Sequence, residues 1–373
     1  MTRVLVVDDS ALMRRLLASV LTEAGCEVVM ARNGLEGVRQ LVDTQPDVVT
    51  LDINMPEMDG LTALSLMMQA RPTPVLMVSS LTAKGAQATF EALALGAVDF
   101  IAKPGGTISL SLDEIAGQLV HKVRAAACSR LRTERPGAHR PTAEPVRRSH
   151  GTPASVPRRE TTALPARTAA APLRASASDA VRRPAGLVVI GVSTGGPRTL
   201  ESVLPALPAD FPWPVVIAQH MPPNFTDAFA ARMDRLCALT VRECRDTMPL
   251  EAGHIYVGRG GTDMVVSERL GRLVVQPRAE TPGHPWHPSA DVLTDSAMRH
   301  LPPERIVGVL LTGMGNDGAQ AMSQLKARGG RTIAEAEETA VVFGMPLELI
   351  ERQGASTVLP CGAVAAQLCQ WVC

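Results

Sequence analysis

Residues 4–15 read VLVVDDSALMRR. Four apolar residues run straight into Asp8 and Asp9, and an amphipathic stretch opens just behind Ser10. A short unbroken apolar run suits a strand of a parallel sheet, whose two faces are both covered by helices. The pattern recurs downstream. Strands are expected at Val4–Val7, Val28–Ala31, Val48–Leu51, Val75–Ser79 and Phe100–Ala102, with helices from near Ala11, Leu35, Leu61, Gly85 and Leu112. Regular β/α alternation of this kind predicts a doubly wound (βα)5 sheet.

After Ala127 the composition changes. Residues 129–185 hold twelve Arg against four acidic residues, with abundant Pro, Ala, Ser and Thr and no apolar period. Such a stretch buries too little apolar surface to offset ordering and reads as a linker. The expected division is 1–127 for the first domain, 128–185 for the linker and 186–373 for a second domain. That second part alternates as well, with strands at Leu187–Ile190, Val215–Ala218 and Ile306–Leu311 and helices near Thr199, Phe225, Asp317 and Pro346. His254–Val257 and Leu273–Val275 are expected to pair as a hairpin. Both domains are therefore read as three-layer α/β, the second with a doubly wound, mostly parallel sheet.

Composition excludes several function classes. Lys+Arg and Asp+Glu are equal at 37 each, so overall charge points to no polyanionic partner. Three Trp, one Tyr and six Phe are too few for base-stacking platforms, and no nucleic-acid role is expected. Seven scattered Cys without a C-x-x-C pair read as reduced thiols in a cytoplasmic protein. The N-terminus reads as a strand rather than a signal peptide, and no apolar run approaches the ~20 residues of a membrane span.

Asp8, Asp9 and Asp52 stand at strand ends of the first domain, on the edge where parallel sheets bind ligands. Three converging carboxylates repel one another unless a cation sits among them, and a hard ion such as Mg²⁺ suits oxygen ligands. Ser79 and Lys103, at the next strand ends, are suited to receiving phosphoryl oxygens. Any one of these residues alone reads equally well as a helix cap; the set of five at four strand ends is what singles out the site.

The second domain repeats this design with different chemistry. LVVIGVSTGGP delivers Ser193, PVVIAQHMPP delivers His220 and IVGVLLTGMGNDG delivers Asp317 to one sheet edge. These are a nucleophile, a general base and an orienting acid. Gly313 and Gly315 flank Met314, whose N–H can face a developing oxyanion. Taken singly, Ser193 and Asp317 also read as helix caps and His220 as a turn residue. His254, His284 and His287 compete for the base role, and HPWH at 284–287 hints at a metal but lacks an acidic partner at zincin spacing. GVSTG matches the α/β-hydrolase elbow, yet that fold orders its triad Ser, Asp, His, whereas here the order is Ser, His, Asp. GVSTGG also lacks the glycine spacing of a dinucleotide site. A helix-turn-helix binding module in the second domain is disfavoured by that domain's length and strand content.

VLVVDDSALMRR, DVVTLDINMPEMDG, PVLMVSSLTAKG and GAVDFIAKP together resemble response-regulator receiver domains over about residues 1–125. That resemblance implies phosphorylation of Asp52 by a histidine kinase. It also implies Mg²⁺ held by Asp8, Asp9, Asp52 and the Asn54 carbonyl, phosphoryl sensing by Ser79 and Lys103, and an aromatic switch at Phe100. From Leu187 onward, the three catalytic segments with HPSADVL and VVFGMP resemble the chemotaxis protein-glutamate methylesterases. The resemblance implies Ser193 as nucleophile, His220 as base, Asp317 as its partner and Met314 as oxyanion donor, with no cofactor for catalysis. The implied substrates are γ-glutamyl methyl esters of chemoreceptors, with receptor glutamines open to deamidation by the same machinery. Glu335, Ala336 and GRGGTD depart from the family pattern. An architecture of receiver and esterase predicts that the unphosphorylated receiver packs over the catalytic mouth.

Overall fold

The computed structural model describes residues 1–80, 82–103, 112–129 and 184–372. The proposed linker falls almost wholly outside them. In chain order the first half contains β1 (Arg3–Val7), α1 (Ala11–Glu23), β2 (Glu27–Ala31), α2 (Gly34–Thr44), β3 (Val48–Asp52), α3 (Gly60–Ala70), β4 (Val75–Ser79), α4 (Ala83–Ala94), β5 (Asp99–Ala102) and α5 (Leu112–Ala127). Its five strands are all parallel, in the order β2-β1-β3-β4-β5. The chain winds outward in both directions from β1 and β3, so the ends of these two strands flank the crevice of a doubly wound sheet. β3 and β4 are buried along their full length, as their unbroken apolar runs require.

The second half contains β6 (Leu187–Val192), α6 (Gly196–Val203), β7 (Val215–Gln219), α7 (Pro223–Leu236), β8 (Thr240–Cys244), β9 (Met248–Pro249), β10 (His254–Gly258), β11 (Asp263–Arg269) and β12 (Arg272–Arg278). It continues with α8 (Ala290–His300), β13 (Ile306–Leu310), α9 (Ala319–Ala327), β14 (Arg331–Glu335), α10 (Met345–Glu351), β15 (Thr357–Leu359) and α11 (Cys361–Val372). Seven parallel strands form one sheet in the order β15-β14-β13-β6-β7-β10-β8, and β11, β12 and β9 form a small antiparallel sheet. The topology bears out two doubly wound α/β domains. It corrects the expected hairpin: His254–Val257 lies in the parallel sheet between β7 and β8, whereas Leu273 pairs with Glu268 on β11. The left-handed Leu270 and Gly271 make the tight turn that joins β11 to β12. Two further α-helices were not anticipated. α8 begins at the Ser289 N-cap, and the apolar C-terminal run forms α11, whose Val364 and Leu368 are buried.

The two domains share one apolar core. Phe90 of α4 meets Phe229 of α7, with ring centroids 5.9 Å apart, and Phe100 of β5 meets Phe225 at 4.4 Å. Aromatic pairs in such tilted arrangements contribute ~0.5–1.5 kcal/mol beyond the area they bury. Among the described residues, no helix is long and apolar enough to cross a membrane.

Candidate active site

In the first domain, Asp8 follows β1 and Asp52 ends β3, side by side at the crevice. Oxygens of Asp8, Asp9 and Asp52 lie within 4.8 Å of one another. Lys103 reaches in from beyond β5, its Nζ 3.0 Å from Asp8 Oδ2 and 2.8 Å from Asp52 Oδ2. Burial pushes the Asp52 carboxyl upward, opposed by the hydrogen bond and charge of Lys103. Burial also works against the charge of Lys103, but its contacts with Asp52 and Asp8 win and hold its pKa above the ordinary value. Asn54 N donates to Asp52 Oδ1 at 3.4 Å. Ser79 is fully buried, with its hydroxyl turned to Gly85 O at 3.2 Å rather than toward Asp52. Phe100 is buried against α7, and Lys122 holds its carbonyl at 2.8 Å while ion-pairing Asp99.

In the second domain, β6 and β13 are neighbours from which the chain winds in opposite directions, making a second crevice at their ends. Ser193 follows β6 directly, and its N–H donates to Thr312 O at 2.9 Å. Gly195 (φ 80°) takes the left-handed conformation that turns the chain into α6, so Gly195, not Ser193, is the helix N-cap. Gly313 passes so close that a Cβ there would lie 2.7 Å from Ser193 Cβ. His220, at the end of β7, is tied by its N–H to Val192 O at 3.1 Å.

Asp317 does not cap the helix that follows it; Gly318 does. Instead its carboxylate accepts four hydrogen bonds. Oδ2 takes His220 Nε2 at 2.8 Å and Ala290 N at 2.6 Å, and Oδ1 takes the Ser289 hydroxyl at 2.7 Å and Asp291 N at 3.1 Å. It therefore sits on the N-terminus of α8, where amides and helix dipole favour an anion. Burial opposes the charge, but the hydrogen bond and charge of His220, together with Ser289 and Ala290, depress its pKa below the usual carboxylate value. An ionised Asp317 fixes the proton of His220 on Nε2. Nδ1 is then the basic nitrogen; it is buried without a hydrogen bond, and among the described residues no hydrogen bond joins His220 to Ser193. Met314 N–H makes no backbone hydrogen bond among the described residues, while Gly313 N–H is spent on Val342 O.

The competing residues fall elsewhere. His287 Nδ1 bonds Asp263 at 2.9 Å, and His254 Nδ1 lies 3.2 Å from Ala252 O. His284, Asp291 and Asp317 come within 4.8 Å of one another, but the oxygens of Asp317 are already committed to four donors. Asp291 accepts from Ala321 N at 2.8 Å, bracing α9 against α8, and makes no hydrogen bond to His220, whose Nε2 bonds Asp317 and whose Nδ1 has no hydrogen bond. Glu335 lies in the interior, not at the mouth: fully buried, it accepts Thr312 N at 2.8 Å and the Thr339 hydroxyl at 3.0 Å. Sequence reasoning also missed Trp286, whose indole stacks on the His220 ring at 5.1 Å and 8°. His121 of α5 also meets this indole, with ring centroids 4.8 Å apart. A surface cavity is lined by Val120, His121 and Arg124 of α5 together with Met314.

Residues 188–368 match the CheB methylesterase family and residues 4–111 match the response regulator receiver domain. A protein-glutamate methylesterase/protein-glutamine glutaminase of Rhodospirillum rubrum is 53% identical over 380 aligned positions, covering 100% of this chain and 96% of the relative. Another so named, from Rhodopseudomonas palustris, is 50% identical, covering 100% of this chain and 98% of the relative. The crystal structure of the Thermotoga maritima CheB methylesterase catalytic domain is 38% identical, covers 50% of this chain and 98% of that one, and superposes with a TM-score of 0.49. This chain belongs to the CheB methylesterase family, with a response regulator receiver domain preceding its esterase domain.

Proposed function

We propose that this chain hydrolyses γ-glutamyl methyl esters of chemoreceptors through Ser193, His220 and Asp317, under control of phosphorylation at Asp52. The observation that carries the catalytic assignment is the Asp317 carboxylate: held ionised on the N-terminus of α8, it orients His220 beside the Ser193 turn. Ser193 Oγ attacks the ester carbonyl as its proton passes to His220 Nδ1, and the imidazolium is stabilised by Asp317 across Nε2. The Met314 amide is the donor for the oxyanion. The imidazolium protonates the departing methoxide; water, deprotonated by the same nitrogen, then releases the glutamate. A glutamine side chain follows the same steps with ammonia leaving, in keeping with the double name of the relatives. The chemistry calls on no cofactor.

Asp52 is the phosphoacceptor in this reading, with a chemosensory histidine kinase as donor. Asp8, Asp9, Asp52 and the Asn54 carbonyl suit Mg²⁺: three oxygens already converge, and Asp8 Oδ2 and Asp52 Oδ2 are buried with Lys103 as their counter-charge. Bound there, Mg²⁺ would offset the negative charge of the pocket and of the phosphoryl oxygens. Lys103 is within reach of the same oxygens. Ser79, now bonded to Gly85, is free to turn toward a phosphoryl group, with Phe100 following. Phe100 is packed on α7 and His121 on Trp286, so a change in the receiver bears directly on a helix and a side chain flanking the catalytic residues. Resting inhibition by occlusion follows. The setting is the cytoplasm, where the receptor helices and the kinase meet this chain.

The test is methanol release from methylated receptor membranes. Ser193→Ala is expected to remove it with the fold intact, by several orders of magnitude. Beryllofluoride with Mg²⁺ is expected to activate the wild type but not Asp52→Ala. Wild-type release by Ser193→Ala would overturn the catalytic assignment, and equal activation of Asp52→Ala the regulatory one.

A further inference from the structure

We propose that Trp286 is a positioning residue for catalysis: its indole holds the His220 ring in its working plane and faces the positive charge that the ring acquires. The inference rests on the site reading above. Asp317 fixes only one atom of the imidazole, Nε2, at 2.8 Å. A single hydrogen bond leaves the ring free to rock about that contact, and Nδ1 has no hydrogen bond of its own to stop it. Trp286 supplies the missing restraint. The two rings are nearly parallel, 8° apart, with centroids separated by 5.1 Å. Face-to-face contact restricts tilting, which one in-plane hydrogen bond does not.

Trp286 is itself held on both sides. The next residue, His287, is anchored to the buried Asp263, which also receives Ser289 N at 3.0 Å. Ser289 then starts α8, whose first amides hold Asp317. The loop that carries Trp286 and the helix that carries the Asp317 contacts therefore form one braced unit. On the other side, the indole Nε1 lies 3.9 Å from the point a Cβ on Gly315 would occupy, beside the Met314 turn. Trp286 thus spans from the base to the oxyanion loop.

The electrostatics point the same way. When His220 takes the proton from Ser193, a cation forms in contact with an indole face. The negative face of an indole attracts a cation within ~6 Å of its centroid, and more strongly when water is excluded. The gain appears only as charge develops, so it acts on kcat and not on substrate binding.

The experiment uses the full-length chain activated with beryllofluoride and Mg²⁺, measuring methanol release from methylated receptor membranes for wild type, Trp286→Leu and Trp286→Phe. Leu fills space without a flat π face; Phe restores the face. Trp286→Leu is expected to lower kcat about 10- to 100-fold, the scale of a misplaced catalytic group, at unchanged KM. Trp286→Phe is expected to recover most of that loss. Imidazole ¹⁵N relaxation of His220 should show a rigid ring in wild type and Phe and increased ring motion in Leu, with the Nε2–H tautomer set by Asp317 in all three. A Leu variant within about twofold of wild-type kcat would overturn the proposal. So would a Phe variant as impaired as Leu while melting like the wild type. If Trp286 is merely a seat for His121, Trp286→Leu raises the unphosphorylated rate and leaves the activated kcat alone, which also overturns it. His220→Ala is the control that separates the two readings: wild-type release by that variant would refute the site assignment itself.

Discussion

Replacing Asp317 with Asn tests both halves of what this carboxylate does. Its two oxygens accept two donors each: His220 Nε2 and Ala290 N on Oδ2, the Ser289 hydroxyl and Asp291 N on Oδ1. An amide keeps one oxygen. Placed on the His220 side, it still accepts from Nε2 and Ala290 N, while its NH₂ faces Ser289 and Asp291 N. The Ser289 hydroxyl can turn and accept, but the Asp291 N–H cannot. One buried donor is then orphaned, which costs about 1–3 kcal/mol of stability. The catalytic loss is larger. Asn holds the ring but offers no charge to the imidazolium, and a lost stabilisation of ~3–5 kcal/mol corresponds to about 10²–10⁴ in kcat. His220→Ala, which removes the base altogether, should fall further. Urea unfolding and methanol release from methylated receptor membranes measure the two effects separately. A decrease in kcat below about tenfold for Asp317→Asn, or more residual activity in His220→Ala than in Asp317→Asn, would refute the role given to this carboxylate.

Burial, partly offset by the Ala321 N–H, pushes the Asp291 carboxyl up to about 6. A raised folded-state pKa gives stability that is full below about pH 4 and is lost as pH rises through about 6. Asp291→Asn is therefore expected to be more stable than wild type at pH 7.5, by up to ~2 kcal/mol, with the difference shrinking near pH 4; equal urea midpoints at pH 7.5 would contradict this. Glu335→Ala leaves Thr312 N–H without its acceptor and loosens the strand end that carries Gly313 and Met314, so kcat should fall about tenfold, whereas Glu335→Gln keeps an accepting oxygen and should restore it; equal rates for the two variants would show that Thr312 is held by other means. His121→Ala uncovers Trp286 and should raise the unphosphorylated rate about fivefold for each kcal/mol of docking lost; an unchanged ratio of resting to activated rate would remove His121 from the inhibitory contact.

Much of this was written in the order of residue types. Apolar runs ending in Asp, Ser, His or Lys mark strands of a parallel sheet and the polar side chains at their ends. This holds because a strand covered on both faces tolerates no polar residue until it leaves the core. Asp52 at the end of β3, Ser193 after β6 and His220 after β7 were legible for that reason. The start of α8 carried a signal too: Ser289 followed by a helical period is an N-cap pattern, and Val292 N does donate to the Ser289 hydroxyl at 3.2 Å.

What only the tertiary structure decided are the relations between segments distant in sequence. Asp317 reads in the chain as the cap of the helix behind it, yet folding turns it onto the N-terminus of α8 and the His220 ring, ninety-seven residues away. Glu335 reads only as a departure from the family pattern and proves to be an interior anchor for Thr312. Trp286, in a Pro-rich loop with no period, carries no sign of the imidazole it covers. His254–Val257 reads as half of a hairpin because local alternation cannot distinguish an antiparallel partner nearby from parallel partners far along the chain. The physical reason is common to all four. Burial and backbone preference act residue by residue and leave their period in the sequence, whereas a hydrogen bond or a ring stack depends on where two crossovers return the chain, and that is set by the packing of the whole sheet.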